Sequence, residues 1–239
     1  MGTSTGYGLP TSGNWPSVKR ETTLLGKAGT VGAGGAAKLM SHYTQAHGGS
    51  RQAALQMSTA SKAGARLGGF LAGVQRGGLA QALTDANLGR LIGQTASDVL
   101  RGLTDFLIGP GSLLEEDIVR RALLDYQEEA FGTCESYEEL DEAFSQLVHR
   151  QGIGTVLKKF FGFCVFRRFR VHMAEHLMKA VNSIRVFKRL VDDVRRFIFA
   201  KLDVRTHNRD PMTVDWRGSE GNEFSQEILA SVWRVFGGA

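Results

Sequence analysis

The chain has 239 residues, of which 42% are hydrophobic and 22% are charged, and its net charge is +5. These values are typical of a globular protein and exclude a chain that is disordered throughout. No apolar stretch is long enough to cross a bilayer. The two cysteines, Cys134 and Cys164, lack any framework spacing, and no signal peptide is recognisable, so we expect free thiols and a cytoplasmic protein.

The first element is residues 1–32, which are rich in Gly, Ser, Thr and Pro. A segment with so few apolar residues cannot bury enough surface to fold, which predicts a disordered, flexible N-terminal tail. Trp15 and Val18 are the only expected docking points in its first 20 residues. The sequence GAGGAA at 32–37 matches a dinucleotide-binding pattern, but no strand or βαβ unit surrounds it, so a junction between tail and helix is favoured.

Residues 33–205 show helical periodicity, which predicts an all-α domain. Gly48 and Gly49 end a first short helix, and Ser50 is the expected N-cap of a long second helix. Inside that long helix Gly64, Gly68 and Gly73 recur near helical spacing. Because glycine destabilises a helix interior by about 1 kcal/mol relative to alanine, its repeated use predicts close approach of another helix.

More helices follow in the chain. Ser112 is placed to open one of them, and Ser136 with Glu139 forms a predicted capping box for the next. Residues 155–180 and 183–205 give the two most apolar helices. Residues 206–239 are predicted to contain an irregular segment and a C-terminal helix over about 223–236.

The charge is distributed unevenly along these helices. Residues 111–149 contain 11 acidic and 2 basic residues, whereas residues 151–205 contain 13 basic and 4 acidic residues. Adjacent segments of opposite charge are most simply explained by neutralisation within one fold. The alternative is a nucleic-acid-binding protein in which residues 155–205 contact phosphates and their phenylalanines stack on bases. Phenylalanine at helical spacing, however, is more typical of a core.

The sequence HMAEH at 172–176 matches the His-x-x-Glu-His pattern of inverted zinc proteases. His172 and His176 would lie one helical turn apart, with Glu175 between them, but no sequence context identifies the third ligand that a catalytic zinc needs. Pairing of these residues with neighbouring side chains is the favoured interpretation. We therefore predict no metal and no cofactor, and a zinc hydrolase is the weakest alternative.

The N-terminus itself is chemically distinctive. Gly2 is small, which predicts removal of Met1 and an α-amine with a pKa of about 8. The start does not fit N-myristoylation, because Gly6 stands where that motif needs Ser or Thr.

Three stretches resemble the QatB family of the Qat anti-phage systems, namely MGTSTGYGLPTSGNWPSVKR, KLMSHYTQAHGGSRQAA and ARLGGFLAGVQRGGLAQAL. The resemblance is specific over residues 1–109 and extends beyond them only as helical character. The Qat systems combine an ATPase (QatA), QatB, a QueC-like synthetase (QatC) and a TatD-like nuclease (QatD).

The resemblance implies a non-enzymatic defence component whose N-terminus is a substrate. QueC-like enzymes activate a 7-deazaguanine carboxylate with ATP, and the implied acceptor in this chain is the amine of Gly2. Thr3 and Ser4 would be recognition residues for the synthetase. The remaining chain would be a scaffold that docks QatC or QatA, with QatD as a further possible partner and no membrane involved.

Overall fold

The computed structural model describes residues 13–30, 32–109, 113–181, 183–202 and 209–237. Those residues contain ten α-helices, two short 3₁₀ helices and no strand, which confirms the predicted all-α class. The helices are α1 (Trp15–Ala28), α2 (Ala33–Ala46), α3 (Ser50–Leu55), α4 (Ser58–Asp85), α5 (Ala96–Ile108), α6 (Leu113–Phe131), α7 (Tyr137–Gln151), α8 (Ile153–Ala180), α9 (Ile184–Lys201) and α10 (Ser219–Gly237). None of these helices is long and apolar enough to cross a bilayer.

Helix α1 lies inside the range that the sequence assigned to a tail. The prediction is wrong for Trp15–Ala28, whereas residues 1–12 and 31 lie outside the described residues. Pro16 occupies the first turn, where its missing N–H has no cost, and the buried positions of the helix recur at intervals of three or four residues. Trp15 and Val18 are 6% and 0% exposed, which confirms them as docking points. The local composition is polar, and the helix is stabilised by its packing on the other helices.

The long helix predicted to start after Ser50 is two helices. Helix α3 ends at Leu55 and α4 begins at Ser58, and the N-cap of α3 is Gly49 with a φ of 87°, so the assignment of Ser50 as N-cap is wrong. The interruption lies at Gln56, whose backbone carbonyl accepts a hydrogen bond from Arg168 at 2.9 Å. That carbonyl is therefore used by a tertiary contact at the point where the helix ends.

The glycines of α4 make the close contacts that their spacing predicted. A methyl group added at Gly64 would overlap Phe161 of α8 and Ser225 of α10, so the prediction of a neighbouring helix is confirmed there. A methyl group at Gly68 would instead overlap the ring of Trp216, which precedes α10 in an irregular segment. Gly73 faces Ala82 of the same helix beyond a bend. Only the first of the three therefore serves a helix-to-helix contact.

Helix α8 lies at the centre of the core. It packs against α1, α4, α6, α7, α9 and α10. Its five phenylalanines are at most 5% exposed (Phe160, Phe161, Phe163, Phe166 and Phe169). These buried rings cannot stack on nucleic-acid bases, so the favoured interpretation of the phenylalanines as core residues is confirmed for α8. Helix α10 packs against α2, α3, α4 and α8 and contributes to the same hydrophobic core.

Candidate functional site: the anchor of the N-terminal segment

The predicted modification residue Gly2 and the predicted recognition residues Thr3 and Ser4 lie outside the described residues. The described chain starts at Gly13, two residues before α1. The structure therefore bears on this candidate site through the way in which α1 is held, since α1 is the fixed point from which residues 1–12 continue.

Five buried or half-buried rings hold the start of α1, and we call them the anchor cluster: Trp15, Tyr43, His47, His172 and Trp233. The centroid of the Trp15 ring lies 6.0 Å from that of Tyr43 and 6.1 Å from that of His47. Tyr43 stacks on Trp233 at 5.8 Å, and His47 stacks on His172 at 5.4 Å. The cluster joins α1, the end of α2, α8 and α10, so it ties the first described helix to the last.

Hydrogen bonds fix the polar side chains of the cluster. The Tyr43 hydroxyl lies 2.9 Å from His172 Nδ1, and His47 Nδ1 lies 2.8 Å from Gln56 Oε1. Because an amide oxygen only accepts, Nδ1 of His47 carries the proton and Nε2 is an acceptor. Arg168 Nη2 donates to the same Gln56 oxygen at 3.2 Å. The segment around Gln56 therefore orients the imidazole that faces Trp15.

Three buried nitrogens of the cluster have no hydrogen-bond partner within the described residues. They are Nε1 of Trp15, Nε1 of Trp233 and Nε2 of His47. The two indole N–H groups are donors and Nε2 of His47 is an acceptor, but no hydrogen bond joins them. An unsatisfied buried polar group costs about 1–3 kcal/mol. Ring packing is therefore what stabilises the anchor at Trp15.

Burial keeps both imidazoles of the cluster neutral. It lowers the pKa of His47 to about 4 and that of His172 to about 3, with a further lowering by the positive charge of Arg168. Burial also raises the pKa of the Tyr43 hydroxyl. At neutral pH the cluster therefore carries no charge on its rings, and Arg168 is the cation next to them.

Helix α1 has further contacts along its length. Glu21 is 8% exposed and forms an ion pair with Lys38 of α2 at 2.9 Å. His176 Nε2 lies 3.2 Å from the carbonyl oxygen of Lys19, to which it donates. Gly26 packs so closely on the end of α8 that an added methyl group would lie 2.8 Å from the carbonyl oxygen of Ala180. The base of the N-terminal segment is thus held along the whole helix.

The HMAEH residues do not converge on one point. His172 bonds Tyr43, His176 bonds the backbone of α1, and the exposed Glu175 forms an ion pair with Lys179 at 2.5 Å. In the part of the chain that the structure describes, no group of three or more His, Cys, Asp and Glu side chains is placed to hold a metal. The two histidines serve the docking of α1, as the favoured interpretation of pairing with neighbours predicted.

The acidic and basic segments neutralise each other in part. Arg167 of α8 makes two hydrogen bonds to Asp125 of α6, and Arg195 of α9 lies 3.6 Å from Glu129 of α6. The outer face of α9 remains cationic, because three exposed side chains have no ion-pair partner among the described residues (Arg185, Lys188 and Arg189). The predicted neutralisation is therefore confirmed between α6 and its neighbours but does not extend to this face.

Sequence reasoning found part of the anchor cluster. It selected Trp15 as a docking point and His172 as part of a motif, but it did not select Tyr43, His47 or Trp233. Tyr43 and His47 lie within one of the stretches that carry the family resemblance, KLMSHYTQAHGGSRQAA. Their proximity to residues more than 120 positions later in the chain has no local signal.

Comparison with known proteins identifies the family to which the chain belongs. The family described as Qat anti-phage system associated protein QatB matches residues 48–236. The match includes His172 and Trp233 of the anchor cluster and leaves out residues 1–47. Of the three stretches that carry the resemblance, it contains ARLGGFLAGVQRGGLAQAL in full and KLMSHYTQAHGGSRQAA from Gly48 onwards. No curated protein and no solved structure matches the chain. Because the match covers well over half of its 239 residues, the chain belongs to the QatB family and is a component of the Qat anti-phage system.

Proposed function

We propose that the amine of Gly2, exposed by removal of Met1, accepts a 7-deazaguanine group from the QueC-like synthetase QatC. The folded helices then act as the scaffold that presents this terminus within the Qat complex. In this proposal the chain is a cytoplasmic, non-enzymatic component, because it supplies the nucleophile and the synthetase supplies the activating chemistry. QatA and QatD are the further candidate partners.

The observation that carries the proposal is the firm attachment of α1 directly after the N-terminal segment. Trp15 is 6% exposed in the anchor cluster, and Gly2 precedes Gly13 by only eleven residues. At most about 3.6 Å per residue, those eleven residues reach no farther than about 40 Å. A synthetase that acts on Gly2 must therefore work within about 40 Å of the start of α1, close to the folded helices, which supports a docking role for the folded part.

The proposed reaction forms one amide bond. The neutral α-amine of Gly2 attacks the activated carboxyl carbon of the 7-deazaguanine carboxylate, the C–N bond forms, and the activating group leaves with the carboxyl oxygen. The amine nitrogen loses one proton in the same sequence of steps. Glycine suits this role because it has no Cβ to hinder the attack. Thr3 and Ser4 offer small hydroxyl side chains for recognition in a narrow pocket.

Intact-mass measurement of the purified full chain tests the proposal. Coexpression with QatC, with the deazaguanine precursor and ATP available, should add the mass of one 7-deazaguanine acyl group to the first peptide. Gly2→Pro, which turns the amine into a hindered ring amine, should abolish the addition. Gly2→Ala keeps a primary amine and is the matched control, expected to retain at least part of it. An unchanged wild-type mass under coexpression would refute the proposal.

Nucleic-acid binding by residues 155–205 is the second candidate, and the cationic outer face of α9 favours it. Its phosphate contacts would come from side chains such as Arg185 and Arg189, since the phenylalanines of α8 are buried. Affinity for DNA or RNA should then fall steeply as salt increases. Charge reversal of Arg185 and Arg189 together should abolish such binding and leave the mass change at Gly2 intact, which separates the two functions.

A further inference from the structure

A cavity of about 980 Å³ lies along one face of α4. Lys62, Arg66 and Arg76 of α4 line it, together with two glycines, and all five positions are three or four residues apart. Residues at that spacing share one face of a helix. The stripe runs from Lys62 to Arg76, a rise of about 21 Å at 1.5 Å per residue. We call this cavity the α4 groove.

Two glycines form the middle of the stripe. Gly69 and Gly73 have no side chain, so no bulky group of α4 fills the groove between the cations at its two ends. Helix α4 bends at Gly78, whose φ of 78° and ψ of 177° are not helical, and the bend turns Ala82 back towards Gly73. Asp141 of α7 accepts a hydrogen bond from the backbone of Leu79 at 3.0 Å and so fixes the new direction. The bend gives the groove its second wall.

The charge in the groove is unbalanced. Four basic residues line it, the fourth being Arg217 beside Trp216, against two acidic ones, Asp85 and Asp215. The side chains of Lys62, Arg76 and Arg217 are exposed and make no ion pair with any residue that the structure describes. Elsewhere the exposed arginines Arg120 and Arg121 do pair with carboxylates. The groove therefore has cations available for an anionic ligand.

The remaining lining is apolar. Phe106 of α5, Met212 and Trp216 are each half-buried at the groove, so part of each side chain faces it. Nε1 of Trp216 donates to the carbonyl oxygen of Pro211 at 2.9 Å, which fixes the ring in place. A ligand that fits this lining has a flat apolar part as well as a string of negative charges.

We propose that the α4 groove binds a nucleotide, with its phosphates on the cations of α4 and Arg217 and its base against the apolar lining. The volume is in the range of small-ligand sites, about 300–1,000 Å³. A single nucleotide supplies both the negative charges and the flat ring system, whereas inorganic phosphate supplies only the charges. The site is separate from the anchor cluster and does not depend on modification of Gly2.

Titration of the full-length chain with ATP and GTP at low ionic strength tests this site. Calorimetry should show saturable binding of at least one of the two nucleotides. Inorganic triphosphate should bind more weakly, because it lacks the base. Arg76→Glu and Arg217→Glu each reverse one cation that lines the groove, and each should weaken nucleotide binding about tenfold or more. Both side chains are exposed, so circular dichroism should show unchanged helix content.

Arg150→Glu on α7 is the matched control, since it reverses an exposed arginine that does not line the groove. It should leave the nucleotide affinity within about twofold. Absence of saturable binding by either nucleotide would overturn the proposal. So would equal affinity for inorganic triphosphate, which would mean a phosphate site without base recognition, and so would equal weakening by Arg150→Glu and Arg76→Glu.

Discussion

Replacing Trp15 by alanine removes the ring that holds the start of α1. The side chain is 6% exposed, so nearly all of its apolar surface, about 200 Å², is buried. At about 25 cal/mol per Å² this gives an upper estimate of about 5 kcal/mol. The substitution also removes Nε1, a buried donor without a partner among the described residues, which offsets about 1–2 kcal/mol. We therefore expect the free energy of unfolding to fall by about 3 kcal/mol.

Urea unfolding followed by circular dichroism measures this loss. Leu24→Ala is the matched control, because Leu24 lies on the same helix and is 49% exposed. It should cost less than about 1 kcal/mol. Limited trypsin digestion should in addition cut Trp15→Ala earlier at Lys19 and Arg20, since local undocking of α1 exposes those bonds. Equal unfolding free energies and equal cutting of the two variants would refute the anchor.

Two further predictions concern buried groups. Since the pKa of His47 is about 4 in the folded chain and about 6.5 in the unfolded one, its contribution is present above pH 6.5 and is lost as the pH falls through 4. His47→Gln should therefore shrink the difference in urea-unfolding free energy between pH 7 and pH 4 by about 3 kcal/mol relative to the unsubstituted chain. Gly68→Ala should destabilise by about 1–3 kcal/mol, because its methyl group would overlap the ring of Trp216. A methyl group added at Gly34 in α2 meets nothing within 4 Å, so Gly34→Ala should be neutral or stabilising by up to about 1 kcal/mol. A higher melting temperature for Gly68→Ala than for Gly34→Ala would contradict the packing described.

The helices from α4 to α10 could be predicted because their apolar residues repeat at helical spacing. In α9 the buried Val191, Val194 and Ile198 recur every three or four residues, and the capping box of Ser136 and Glu139 marks the start of α7 as expected. These signals are local. Each can be recognised from a few consecutive turns without knowledge of what the helix packs against.

Helix α1 and the anchor cluster could not be predicted in the same way. In α1 the apolar stripe consists of few large side chains among Thr, Lys and Gly, and an isolated helix of 14 residues is marginal in water. Its stability depends on Tyr43 and Trp233, which lie on α2 and α10. The composition of the segment therefore indicated a tail, whereas the decisive term is tertiary packing with residues far away in the chain.

The anchor fixes the start of α1, from which the segment that carries the proposed acceptor continues. Helix α10 contributes Trp233 and α8 contributes His172, so a partner docked on the α1 face contacts a surface supported by both ends of the chain. The neutral rings and the ion pair between the buried Glu21 and the exposed Lys38 hold that surface at neutral pH without a metal ligand set among the described residues. The proposed reaction and the fold therefore depend on different residues. The acceptor must be a small, accessible residue, whereas the anchor must consist of large buried rings. These two sets of residues are separated along the chain by the eleven residues that follow Gly2.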